Sequence, residues 1–174
     1  MSNRDFQQDS LSAAEFGRPA LPTSLNVLTI LTFIGSGIQL LGILFGFLNA
    51  KKSYDEKDKM LAQMNSAEMP GFFKAMMPNA QNYEEMVTKS FENRFPLLIV
   101  GLLATALCIY GAMQMRKLKK QGYIFYVVGQ LLPFISTILF LGAFMFAGVG
   151  FAVSTAITVL FIILYSINRK YLTD

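Results

Sequence analysis

Gln39 and Gln130 are the side chains whose chemistry stands out, because each is a polar amide set in a long apolar stretch. A buried amide needs hydrogen-bond partners, and one interhelical bond in lipid contributes roughly 0.6 kcal/mol. The pair is the one combination that could line a ligand cavity. Cys108, the single cysteine, also lies mid-stretch. It reads as a small packing residue rather than a reactive thiol, and alone it makes no intrachain disulfide. Met60 and Met64 sit one helical turn apart, and Met69, Met76, Met77 and Met86 follow. Thioethers suit Cu(I), but these match no tight motif, and methionine commonly fills apolar surfaces.

Much chemistry is missing. The chain has no histidine, so it lacks the commonest general base and metal ligand. There is no phosphate loop, dinucleotide fingerprint, zinc-protease motif or serine elbow. Asp55, Glu56 and Asp58 alternate with lysines and read as a solvated face. No catalytic, cofactor-binding or metal-ligating set is expected, and the chain reads as non-enzymatic.

The elements that must position these residues are four stretches without Asp, Glu, Lys or Arg, at about 25–50, 95–115, 123–147 and 149–168. About 20 residues suffice to cross some 30 Å of hydrocarbon as a helix. Overall, 53% of residues are hydrophobic and 15% charged, against roughly 25% charged in an average soluble domain. Backbone groups in lipid must be paired internally, which forces helices here. The expected fold is all-α: a polytopic membrane protein, an antiparallel four-transmembrane-helix bundle with a helical loop, 49–94, between helices one and two. Residues 1–24 read as a flexible cytoplasmic tail, and 25–174 as a single membrane domain. Proton relays and ion-coupled carriers place ionisable groups inside the membrane, and these stretches hold no carboxylate, lysine or arginine.

Small residues form stripes. Gly35, Gln39, Gly42 and Gly46 share one face of the first helix, and Gly42-x-x-x-Gly46 permits close helix approach. Gly101, Ala104, Cys108 and Ala112 do the same in the second. Gly129, Pro133, Ser136, Ala143 and Ala147 lie near one face of the third, with Gln130 beside it. Ser154, Thr155 and Thr158 can bond back to the fourth helix or across to a neighbour. These stripes are expected to pack helices within the molecule or at an interface. Pro133 is expected to kink the third helix, and Gly148, Val149 and Gly150 to turn it into the fourth. Within the loop, Asn82 with Glu85 suggests a helix start. Tyr83, Met86, Val87 and Phe91 then share a face, and residues 71–77 suit a membrane surface.

Charge sets the expected orientation. Arg116, Lys117, Lys119 and Lys120 fall in one short turn without an acid, and Arg169 and Lys170 open the C-terminal tail. Basic flanks favour the cytoplasmic side, and two intervening helices put both regions on one side. Both termini are then cytoplasmic and loop 49–94 lies on the outer face. Lys51 and Lys52 count against this. The loop holds seven basic residues and the three inner regions together eight, so the dense turn decides. The net charge of +4 is not gathered into a nucleic-acid patch.

The run Arg116-Lys117-Leu118-Lys119-Lys120-Gln121-Gly122-Tyr123, leading to Gly129-Gln130-Leu131-Leu132-Pro133, ends in Tyr165-x-x-Asn168-Arg169-Lys170-Tyr171-Leu172. Over this C-terminal third the chain resembles small uncharacterised four-span bacterial integral membrane proteins. The resemblance implies a bacterial inner membrane and no particular activity. The expected function is that of a membrane accessory, scaffold or assembly subunit. It would act through helix and loop contacts with the lipid bilayer, a larger membrane complex or a homo-oligomer. The alternative is a component of a transporter or channel for a neutral solute or lipid.

Overall fold

The structure is a computed structural model and describes residues 21–65, 79–147 and 149–173. Its elements are α1 (Thr23–Asp55), α2 (Lys57–Asn65), α3 (Ala80–Glu92), α4 (Arg94–Arg116), α5 (Gln121–Ser136) and α6 (Val149–Asn168). A π-helical turn, Thr137–Leu141, continues α5. A 3-10 helix, Ala143–Ala147, precedes α6, and another, Arg169–Tyr171, follows it. Among the described residues there is no strand. Four of the helical segments are long and apolar enough to cross a membrane.

α1 starts at Thr23, inside the expected tail, and runs through Lys51 and Lys52 to Asp55. Its 33 residues extend about 50 Å. The chain pauses at Glu56 before α2, so the polar helix after the first apolar stretch is a separate piece. α3 begins one turn earlier than Asn82 suggested. Asn79 is the N-cap, and its side chain accepts a 2.8 Å bond from the Asn82 amide. That bond supplies one of the partners a first turn otherwise lacks. Val87 is buried, and Phe91 stacks on Tyr54 at 4.7 Å, so the expected apolar face of α3 rests on α1. Burial pushes the Tyr83 hydroxyl above its ordinary pKa. Residues 71–77 lie outside the described part.

The third apolar stretch is not one helix to residue 147. α5 gives way after Ser136 to the π turn, and Gly142, at φ +112°, breaks the chain direction. The cause is local. Pro133 supplies no amide proton, and its own carbonyl accepts both Ser136 Oγ (2.9 Å) and Thr137 Oγ1 (2.8 Å). Side-chain bonds of this kind compete with the helical ladder and let it widen. The Gly142 amide donates to the Thr137 carbonyl, five residues back, at 2.9 Å. The break expected at 148–150 therefore falls at Gly142. Val149 and Gly150 belong to α6, and Gly148 lies outside the described residues.

α4 and α5 pack most intimately, and glycine makes this possible. A β-carbon added at Gly111 would lie 2.6 Å from the Tyr126 backbone nitrogen. At Gly122 it would lie 2.6 Å from the Met115 nitrogen, and at Gly129 2.8 Å from Cys108 Sγ. Ala104, Cys108 and Ala112 are buried in α4. Around this seam a core gathers Leu25, Leu28, Met115, Tyr126, Tyr165 and Leu172.

The C-terminus is fastened to the basic turn. Thr173 donates its amide to the Leu118 carbonyl at 2.6 Å, and Lys120 donates its amide to the Thr173 carbonyl at 3.1 Å. Leu118 adopts φ +60°, a left-handed conformation that costs a non-glycine residue roughly 1–2 kcal/mol. Burial of Leu118 and Leu172 offsets that cost. Arg169 stacks over Tyr123 at 5.0 Å. Ser24 at the start of α1 donates to Asn168 Oδ1 at 2.6 Å. The described start, the basic turn and the tail therefore meet at one end of the molecule.

Candidate functional site

Polar side chains from three helices converge on a cleft of about 440 Å³ between α1, α5 and α6. α1 contributes Thr32, Ser36 and Gln39, whose spacing of four and three places them along one helical face. α5 contributes Tyr126 and Gln130, and α6 contributes Ser154 and Thr158. Among the described residues no charged side chain lines it. The cleft exists because α6 is held mainly at its C-terminal end, where Tyr165 and Asn168 are its buried residues. Residues such as Val153, Ile157 and Leu160 remain exposed.

The floor of the cleft is tied together. Thr32 Oγ1 and Tyr165 Oη share a 2.8 Å hydrogen bond, and the Tyr126 and Tyr165 rings lie 4.5 Å apart. Gln130 works in both directions. Its amide donates to Cys108 Sγ at 3.6 Å, and its carbonyl accepts from Thr158 Oγ1 at 3.4 Å. One of the two glutamines is thus spent on joining α4, α5 and α6. Gln39 is different: among the described residues its amide has no hydrogen-bond partner, although it faces the same cleft. An unpaired amide in an apolar setting costs free energy that a ligand or another chain can recover.

The stripes divide in an unexpected way. On α4, Ala104 and Cys108 pack against α5, while Gly101 faces the Ile43 side chain, 2.9 Å from where a β-carbon would sit. On α1, a β-carbon at Gly35, Gly42 or Gly46 would meet nothing within 4 Å. These glycines therefore leave unfilled space beside α1, Gly35 at the cleft with α5 and α6 and Gly46 at a groove beside α3 and α4. Pro133 serves α5 through its carbonyl. Arg116, Lys117, Lys119, Lys120 and Lys170 are exposed at the end that carries the tail, with Arg169 beside Tyr123. Of the cross-helix options for the α6 hydroxyls, Thr158 reaches Gln130, whereas Thr155 bonds back to the Phe151 carbonyl at 2.9 Å.

Sequence reasoning missed Thr32, Tyr126 and Tyr165, which build the cleft floor, and Gly111 and Gly122, which let α4 and α5 touch. The Thr32, Ser36 and Gln39 spacing was a readable signal. The tyrosines gave none, because an aromatic residue in a membrane-type helix serves equally as filler or as an interfacial residue.

A second cleft, of about 320 Å³, lies where α3 crosses α1 and α4. Its walls include Ile43, Phe47, Met86, Val87 and Leu97, with Ser53, Ser90 and Arg94 as polar members. Family models, curated proteins and solved structures contain no match to this chain.

Proposed function

We propose that this chain is an integral membrane protein in which four antiparallel helices cross a bacterial inner membrane. We read it as an accessory or assembly subunit that holds a partner's transmembrane helix against the open side of α1. The exposure of Ile34, Ile38, Phe45, Leu48, Ile99 and Leu139 supports the membrane reading, since a soluble monomer rarely leaves so much apolar surface in water. The basic end is taken as cytoplasmic and α2 and α3 as lying on the outer face.

The observation that carries the partner reading is Gln39. Among the described residues its amide lacks a bond, and Gly35 and Gly42, where a β-carbon would meet nothing within 4 Å, flank it on α1. Small residues admit a second backbone, and the glutamine offers that helix a hydrogen bond. The partner helix should therefore carry a polar side chain at matching depth. A photo-crosslinking residue at Ile38 should yield one discrete adduct in native membranes, and Gln39→Leu should reduce it. A chain that stays uncrosslinked and purifies alone in gentle detergent refutes the proposal. An adduct at twice the mass of the chain identifies the partner as a second copy and overturns the heterologous reading.

A second reading has its own support in the uncharged polar lining of the cleft. A neutral solute or lipid would be held or passed by Gln39, Gln130, Ser154 and Thr158. Liposome flux that falls in the Gln39→Leu plus Gln130→Leu variant supports it. Absence of protein-dependent flux counts against it.

A further inference from the structure

The cleft between α1, α3 and α4 has a different character from the one around Gln39. Its deep walls are aliphatic and aromatic, formed by Ile43, Phe47, Val87 and Leu97, and its polar members are Ser53, Ser90 and Arg94. Arg94 is the one charged side chain among the described residues that line it. Its guanidinium stacks over Phe91 at 4.5 Å and over Phe95 at 5.2 Å. Stacking holds the group in place but does not neutralise it. Among the described residues Arg94 has no carboxylate partner, in contrast to Lys57 with Glu84 and Lys89 with Glu85. The Ser53 and Ser90 hydroxyls also lack partners among the described residues.

The position along the helices matters. Ile43 and Phe47 lie in the apolar stretch of α1, while Ser53 follows Lys51 and Lys52 in its polar end. Arg94 opens α4, and Leu97 lies one turn deeper. The cleft thus grades from apolar to cationic along its length. An anionic amphiphile has that same grading.

We infer that this cleft holds one acyl chain of an anionic membrane lipid, with the lipid phosphate bound by Arg94 and the serine hydroxyls. A guanidinium suits phosphate because its planar donors can pair with two oxygens at once. A basic pocket between membrane helices is a suitable seat for such a headgroup. The inference rests on the membrane reading of the four helices but not on the partner helix at α1.

Native mass spectrometry of the full chain in gentle detergent tests it, with phosphatidylglycerol or phosphatidylcholine added at equal concentration and inorganic phosphate as a third arm. Wild type should retain phosphatidylglycerol about tenfold over phosphatidylcholine, the scale of one charge-assisted bond. Arg94→Gln should erase that preference and Arg94→Lys should keep part of it. A β-carbon at Gly46 would meet nothing within 4 Å, so Gly46→Leu projects its side chain into the space of the cleft. It should lower retention of both lipids. Inorganic phosphate should not displace the lipid. Equal retention of the two lipids by wild type, unchanged preference in Arg94→Gln, or displacement by phosphate alone overturns the inference. Each of these leaves the membrane reading standing. A chain that is monodisperse without detergent removes both.

Discussion

At the scale of single residues, the two glutamines show how alike positions acquire unlike roles. Both are amides in apolar helices, and the sequence treats them alike. Gln130 finds Cys108 and Thr158 and becomes a structural joint. Gln39 finds no partner among the described residues. Thr32 and Tyr165, not singled out by spacing, make a buried polar contact between α1 and α6. Thr32→Val and Tyr165→Phe should each lower stability in detergent by about 0.6 kcal/mol, the typical size of such a bond in a membrane protein. The double variant should lose little more than either single one, because both remove the same bond. Thermal unfolding of the four proteins measures this, and fully additive losses would show that the bond is not the coupling element. The sequence could name the hydroxyls and amides but not their pairing, which depends on helix rotation and depth.

The helices themselves carry a sharper distinction. Small residues on α4 and α5 are consumed in packing, whereas the space beside Gly35, Gly42 and Gly46 on α1 is left unfilled. Gly122→Val should destabilise the bundle by about 1–3 kcal/mol, since overpacking forces backbones apart. Gly42→Leu should leave stability nearly unchanged and reduce partner crosslinking instead. If Gly42→Leu also lowered the melting temperature in the absence of any partner, the face would be an internal one. α5 records a second lesson. Pro133 announced an irregularity, but its form, a π turn and a break at Gly142, came from Ser136 and Thr137 competing for one carbonyl. Sequence inspection places the proline. It does not resolve which nearby hydroxyls will bond the proline's own carbonyl.

For the whole molecule, the tail is a structural component. Leu172 is 4% exposed and Leu118 7% exposed, and Thr173 bridges the turn between α4 and α5. Leu172→Ala should cost about 2 kcal/mol or more, the usual loss for truncating a buried leucine, and its unfolding midpoint in detergent reports it. Orientation is tested in a Cys108→Ala background. Single cysteines at Lys119 and at Thr173 should react with an impermeant thiol reagent only after the cytoplasmic side is opened. A cysteine at Gln81 should react from outside. Labelling of Lys119 and Thr173 positions from opposite sides would contradict their hydrogen-bonded proximity. Labelling of both from outside would invert the assigned orientation.

Hydropathy determined the existence, number and approximate extent of the four long helices, because a run of apolar residues without charge is a local property. The bounds near 95–115 and 149–168 follow the same logic and fall within a residue or so of α4 and α6. Charge clustering marked the turn and tail that meet at one end. Only the tertiary structure decided which glycines touch a neighbour, which glutamine is satisfied, and that Leu118 and Leu172 lock the chain end to the turn. Those outcomes depend on the rotation and tilt of each helix against the others. Such angles are set by the summed packing of many side chains, which no single motif encodes.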